Sequence, residues 1–237
     1  MAGTLNSRRK RVAFQGELGA FSQVAAQRLL GRRIEPVPCQ HFEEVFRLLA
    51  QKRVDAAVIP IENTLHGSVH ENYDHLLKYN LWIVAETSVR IVHNLIALPG
   101  VHFGAIRRVY SHPVALNQCL QFFRDHPQLE RVPFYDTAGS VKMLVEKNLR
   151  DAAAIASSEA ARIYGARILR RSIEDERENY TRFFLLQRKA DAPPLPASNR
   201  HGRAFKTSIV FTTRNVPGAL FRALSVFALR DINLTKI

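Results

Sequence analysis

Apolar positions in this chain gather in short continuous blocks, and most blocks empty into a polar or glycine-bearing turn that opens an amphipathic stretch. Val12-Ala13-Phe14 is the first block. It ends in Gln15-Gly16 and is followed by helical spacing from Val24 to Leu30. Blocks of this kind read as buried strands, and the spacing after them as covering helices. Glu35–Pro38 reads as a second strand, and Phe42, Val45, Phe46 and Leu49 share one helical face. Asp55–Pro60 predicts a buried strand closed by proline, with a helix at Val69–Leu77. Leu81–Ala85 and Val89–Leu98 predict two further strands, the second crossing between lobes. Strands at Arg107–Tyr110, Arg131–Tyr135 and Ala152–Ala156 then alternate with helices. The first helix opens at Ser111-His112-Pro113 and carries Leu116, Cys119, Leu120 and Phe123. The second follows Asp136-Thr137-Ala138-Gly139-Ser140, and the third is capped by Ser157-Ser158-Glu159. The chain returns to the first lobe near Ile168–Ile173, and Phe183–Leu186, aromatic-rich and bounded by charge, reads as its last buried strand.

This alternation predicts an α/β fold of two lobes with a cleft between them, where strand ends present small, hydroxyl and amide residues. The lobes are expected to exchange chain near 86–94 and 168–176. Residues 1–11 read as a basic, solvated tail, and 12–188 as the two-lobed domain. Residues 189–206, with Pro193, Pro194 and Pro196, read as a linker. Beyond it, Thr207–Phe211, a helix from Asn215 to near Leu229 and Asp231–Ile237 predict a β-α-β fragment. Such a fragment is too short to bury a core of its own, so the sequence is expected to stop inside a second domain.

Composition is that of a globular protein, at 46% hydrophobic and 23% charged. No apolar run reaches the roughly 20 residues of a membrane span, and no apolar segment backs the basic N-terminus as a secretory signal requires. Cys39 and Cys119 lack metal-ligand spacing and read as reduced thiols of a cytoplasmic protein. The net charge of +13 raises nucleic-acid binding as a rival class. Apart from Arg8–Arg11 and Arg170-Arg171 the basic residues are dispersed, which favours small anionic substrates and no nucleic acid as partner.

Candidate chemistry lies at the strand ends. Thr181 and Arg182 stand at the mouth of the Phe183–Leu186 strand, where a guanidinium can grip a carboxylate by two parallel bonds and a hydroxyl can donate beside it. Ile61-Glu62-Asn63-Thr64-Leu65-His66-Gly67-Ser68 brings a carboxylate, an amide and hydroxyls to one loop. Gly16 and Gly19 allow a tight turn, and Ser22 stands where an N-cap of an anion-holding helix belongs. Ser111 is expected to cap its helix, and Gln118, seven residues on, shares that face.

Several of these stretches together resemble the prephenate dehydratases and the related arogenate dehydratases. They are Gly16–Ser22, Pro60–Thr64 with Gly67, Ser111–Pro113 with Gln118-Cys119, Asp136–Gly139, and Glu178–Phe183. Pro217–Leu220 and Ile232–Ile237 resemble the start of an ACT regulatory domain. The resemblance implies a catalytic domain like type 2 periplasmic binding proteins, with the site between lobes, and a partial, ferredoxin-like α+β ACT domain. It implies conversion of prephenate to phenylpyruvate with loss of water and carbon dioxide, without metal or organic cofactor. Thr181 matches the catalytic threonine. Glu62, Asn63, Ser111 and Gln118 match cleft positions, and a buried Glu62 is the alternative proton donor to Thr181. Arg182 would fix a carboxylate and Phe183 would shape the pocket. Ser22, Thr64, His112, Thr137, Ala138 and Gly139 complete the implied substrate contacts. The Asp136–Gly139 segment resembles versions that accept arogenate. Gly218, Ala219 and Leu220 match the phenylalanine-binding loop of an ACT domain, in a family of homodimers or tetramers. A non-catalytic two-lobed anion sensor is the alternative within the same fold.

Overall fold

The computed structural model describes residues 8–194, 206–209 and 211–235. The chain divides into two units, Met1–Pro193 and Pro194–Ile237. In the first, β1 (Lys10–Gln15), α1 (Phe21–Leu30), β2 (Ile34–Cys39), α2 (Phe42–Ala50), β3 (Ala56–Asn63), β4 (Gly67–Ser68), α3 (His70–Lys78) and β5 (Leu81–Arg90) build one lobe. The second lobe holds β6 (Asn94–Ala97), β7 (Arg108–Ser111), α4 (Pro113–Asn117), α5 (Leu120–Asp125), β8 (Glu130–Pro133), α6 (Thr137–Glu146), β9 (Ala152–Ala156), α7 (Ser158–Ile163) and β10 (Arg167–Arg170). The last strand, β11 (Tyr180–Arg188), returns to the first lobe.

Strand order is β2-β1-β3-β11-β5 in the first sheet, with β4 on β3, and β10-β6-β9-β7-β8 in the second. The β1, β2 and β3 pairings are parallel, whereas β11 runs antiparallel between β3 and β5. Both faces of each sheet are covered, which is why β3 and β9 are nearly continuous apolar runs. On the first sheet, Phe184 and Leu186 pack toward Phe46 and Leu49 of α2, and Phe183 and Leu185 pack with Ala25 and Ala26 of α1. A fully buried side chain such as Leu186 contributes about 1.5–3 kcal/mol. Cys39 and Cys119 are buried free thiols, and desolvation pushes Cys39 up to about 12 and Cys119 in the same direction.

Several expectations are corrected. Val89–Leu98 is one apolar block in sequence but two strands in space, because β5 ends at Arg90 and β6 begins at Asn94. Between them the backbone bonds to the other crossing segment, with Ile91 N donating to Asn179 O at 2.8 Å and Ile173 N to His93 O at 2.9 Å. The return crossing runs from Arg170 to Tyr180, since β10 still pairs with β6. Lys10 and Arg11 belong to β1 rather than to a solvated tail. Arg11 is tied to Glu35 Oε1 at 3.1 Å and to Arg53 O at 2.6 Å.

The helix expected to carry both Leu116 and Phe123 breaks at Gln118-Cys119 into α4 and α5, and the carboxylate of Asp175 accepts from the N–H groups of Leu120 and Gln121 that the break exposes. In the second unit α8 (Ala219–Ala228) forms as expected. No strand forms among the described residues at 206–209, 211–214 or 231–235, where ladder partners are lacking. Leu220, Phe221, Val226 and Leu229 of this unit are exposed. Most of the expected linker, 195–205, lies outside the described residues, as do 1–7 of the expected tail.

Candidate active site

The site is built where β3 and β11 end side by side. β3 continues past Pro60 to Asn63, so the residues expected in a loop are the end of a strand. The register slips by one residue there. Arg182 faces Glu62, but Phe183 faces Pro60, leaving Ile61 as an extra residue on β3. Such a bulge re-aims side chains. As a result Asn63 meets Thr181, while Glu62 falls beside Arg182.

This geometry corrects the expected pairing of Thr181 and Arg182. Successive strand residues point to opposite faces. The Arg182 guanidinium lies over the ring of Phe184, 5.1 Å from its centroid, and its Nε donates to Glu86 Oε2 at 2.8 Å. Its Nη1 is 3.9 Å from Glu62 Oε2. Glu62 is half-buried and shares a cation with Glu86, so the burial expected of a proton donor is not met. Phe183 is 2% exposed and packs in the core.

Thr181, 8% exposed, accepts a hydrogen bond at Oγ1 from Asn63 Nδ2 at 2.9 Å. The same amide donates to Asn179 Oδ1 at 2.8 Å. Asn63 Oδ1 in turn accepts from the N–H groups of Leu65 and His66, at 2.9 and 3.0 Å. From there the line passes from the first lobe to the second. Gln118 Nε2 lies 3.2 Å from His66 Nδ1, and Gln118 Oε1 lies 2.7 Å from His93 Nε2. Hydrogen bonds thus run from the first lobe through Gln118 of the second to the crossing segment.

The remaining expected residues divide between this line and the scaffold. Ser111 is fully buried, and its hydroxyl donates to Ile155 O at 2.7 Å inside the second lobe. His112, not Ser111, caps α4, accepting from Val114 N at 3.3 Å. Thr64 Oγ1 donates to Glu178 O and accepts from Tyr180 N, both at 3.0 Å, which pins the entry to β11. Ser22 is buried in the first turn of α1, whose N-cap is Ala20. Neighbouring Phe21 presents its ring to His93 at 6.0 Å, so this helix start stands beside the crossing. Thr137, Ala138 and Gly139 form the first turn of α6, capped by Asp136 through Gly139 N at 2.7 Å. Burial raises the pKa of Asp136.

The glycine turn holds the lobes together. Ser157 Oγ of the second lobe donates to Gly19 O at 2.6 Å, and Tyr135 Oη donates to Glu17 Oε1 at 2.8 Å. Gly19 has φ +91°, and a Cβ on it would stand 2.5 Å from Ala160 Cα. His66, His93 and Asn179 were not among the expected site residues. Asn179 lies inside the Glu178–Phe183 motif and was legible there. His66 and His93 carry no local signal, because each earns its place through a partner in another segment. Among the described residues no group of three or more His, Cys, Asp or Glu could hold a metal ion.

Residues 12–191 match the prephenate dehydratase family. Arogenate dehydratase/prephenate dehydratase 2, chloroplastic, of Arabidopsis thaliana is 48% identical over 98% of this chain and 59% of its own length. The chain therefore spans less than two thirds of that relative. A solved prephenate dehydratase from Arthrobacter aurescens, in complex with L-Phe, superposes with a TM-score of 0.80 at 29% identity, over 96% of this chain and 74% of that one. A structure described as GqqA, a novel type of quorum quenching acylase, gives 0.78 at 30% identity, over 96% and 80%. The cytoplasmic expectation is corrected by the chloroplastic name of the Arabidopsis relative. Plastid leaders are Ser- and Arg-rich amphipathic segments rather than apolar ones, so the want of an apolar secretory segment does not speak against them.

Proposed function

Since this chain belongs to the prephenate dehydratase family, we propose that it carries out the decarboxylating dehydration of prephenate to phenylpyruvate, and of arogenate to phenylalanine, in phenylalanine biosynthesis. One observation carries the reading. Thr181 Oγ1 accepts from Asn63, so its own O–H points away from that amide and serves as a donor in the cleft. In the reaction the ring carboxylate leaves as carbon dioxide. Its bonding electrons pass through the diene and expel the ring hydroxyl, which takes up a proton and departs as water. Aromatisation supplies the driving force. The protein must orient the substrate and stabilise charge developing on the leaving oxygen, which a preorganised donor does well.

In this reading Thr181 is catalytic, with Asn63 and Gln118 orienting it and the substrate. With Arg182 engaged by Glu86, the substrate carboxylates fall to helix starts: the first turn of α1 with Ser22, and the first turn of α6 with Thr137 and Ala138. The test is a side-by-side assay of both substrates. Formation of phenylpyruvate from prephenate, or of phenylalanine from arogenate, is expected. No turnover of either would overturn the reading. Residues 12–188 form the proposed catalytic domain, and 207–237 the start of a phenylalanine-binding ACT domain through Gly218, Ala219 and Leu220. A homodimer or tetramer regulated by phenylalanine is the proposed assembly of the longer form, in line with the L-Phe bound to the Arthrobacter protein.

A further inference from the structure

His93 sits on the crossing between β5 and β6 and is 2% exposed. Its backbone is held from the return crossing, since His93 N donates to Glu174 Oε2 and His93 O accepts from Ile173 N, each at 2.9 Å. Those bonds would secure the crossing whatever side chain stood there. The imidazole therefore has another use. Its Nε2 lies 2.7 Å from Gln118 Oε1, an atom that only accepts, so in this arrangement Nε2 carries the proton, and the tautomer and the amide orientation fix each other. Nδ1 is then a bare acceptor, buried and without a hydrogen-bond partner among the described residues. Keeping such a nitrogen unpaired lowers stability, and an aliphatic side chain would avoid that.

The two ends of a carboxamide are alike in shape and opposite in hydrogen bonding. A proton on His93 Nε2 forces Gln118 Oε1 toward the crossing and turns Gln118 Nε2 toward the cleft. There Nε2 meets His66 Nδ1 at 3.2 Å. His66 Nδ1 also lies 3.3 Å from Asn63 Oδ1, but that oxygen already accepts from the N–H groups of Leu65 and His66; with the His66 proton on Nε2, Nδ1 accepts from Gln118. A proton on Nδ1 instead would invert Gln118 and place a second acceptor in the cleft. The edge-on ring of Phe21, at 79° to the imidazole, helps hold its plane.

We propose that His93 is a positioning residue: its Nε2–H sets which end of Gln118 faces the cleft and so places a donor beside the Asn63–Thr181 pair. The proposal rests on the dehydratase function above.

Three variants test it by steady-state kinetics. His93→Gln returns an amide nitrogen to about the place of Nε2. His93→Asn reaches only to the place of Nδ1, and His93→Leu donates nothing. Loss of alignment of this kind costs about 10²-fold or less in rate. The expected result is a fall in kcat of about 10-fold or more for the Leu and Asn variants, little change in KM, and substantial recovery in the Gln variant. Combined with Gln118→Ala, loss of the His93 donor should cost nothing further, because in this role its effect on turnover passes through that residue. Equal activity of the Asn and Gln variants, or effects that add to those of Gln118→Ala, would overturn the role. Wild-type kcat in a folded Leu variant would do the same. If the Leu variant does not fold, the Asn and Gln pair decides. Turnover that depends on Thr181 but ignores His93 overturns this role alone, whereas absence of turnover in the unaltered chain overturns the function and the role together.

Discussion

Asn63 Nδ2 stands 2.9 Å from Thr181 Oγ1 across the paired ends of β3 and β11, and donates to it. The pair is 118 residues apart in sequence. In the proposed reaction this contact would make the threonine an oriented donor, because Asn63 holds the oxygen while the hydroxyl proton stays free for a leaving group. Thr181→Val keeps the shape and removes that proton. The expected outcome is a loss of turnover of about 10²-fold or more, as for other transition-state donors, with the fold retained. Thr181→Ser should keep most activity. Near-normal turnover of a folded Val variant, followed by product absorbance, would end the assignment.

Arg182 belongs to the other face. Its guanidinium is held by Glu86 and stands over Phe184. Arg182→Lys loses the planar fork and the stacking, so stability should drop by about 1 kcal/mol while KM stays within about twofold. Denaturant midpoints and steady-state kinetics read the two effects. A large rise in KM without loss of stability would return Arg182 to the substrate.

Gly19 is required twice, by its φ of +91° and by its approach to Ala160. Gly19→Ala must shift the turn away from α7 and disturb the Ser157–Gly19 bond that joins the lobes. A destabilisation of about 1–3 kcal/mol is expected, together with reduced turnover. Thermal melting unchanged from the parent would show that the lobes do not depend on this approach.

Burial holds His93 below its ordinary pKa, with the Gln118 bond and the charge of Glu174 acting in the opposite direction. The unfolded chain then binds a proton that the folded chain refuses. Its contribution to stability is present above the ordinary histidine range, near 6.5, and is lost as pH falls through the folded value, at up to about 1.4 kcal/mol per pH unit. Melting of the wild type should therefore fall more steeply between about pH 7 and 5 than melting of His93→Gln. Parallel curves would contradict the shift.

Phenylalanine should neither inhibit this 237-residue chain nor raise its melting temperature. Gly218 caps α8 in a left-handed conformation, φ +75°, but Leu220 and Phe221 beside it are exposed and no described strand flanks the helix. A ligand stabilises only through a site it finds formed in one state and not the other. Titration of activity and melting is the check, and inhibition at sub-millimolar phenylalanine would show a working site.

The order of strands and helices was legible along the chain, because apolar runs and helical spacing are local signals that burial on both sheet faces makes strong. Val12–Phe14, Asp55–Pro60 and Ala152–Ala156 each mark a strand by these signals, and the strand ends bearing Asn63 and Thr181, with Gln118 at the end of the helix after Ser111, were legible with them. Tertiary structure alone decided which partners those residues meet. A one-residue slip at Ile61 sends Glu62 to Arg182 and Asn63 to Thr181, and no local pattern encodes the register between strands so far apart. The break between Arg90 and Asn94 arises because the backbone there bonds to a segment more than eighty residues later, so an apolar block that reads as one strand serves as a crossing. His93 and His66 enter the site for the same physical reason: hydrogen bonds between side chains depend on distance in space, and Gln118 reaches both only after the two lobes have formed around the crossing.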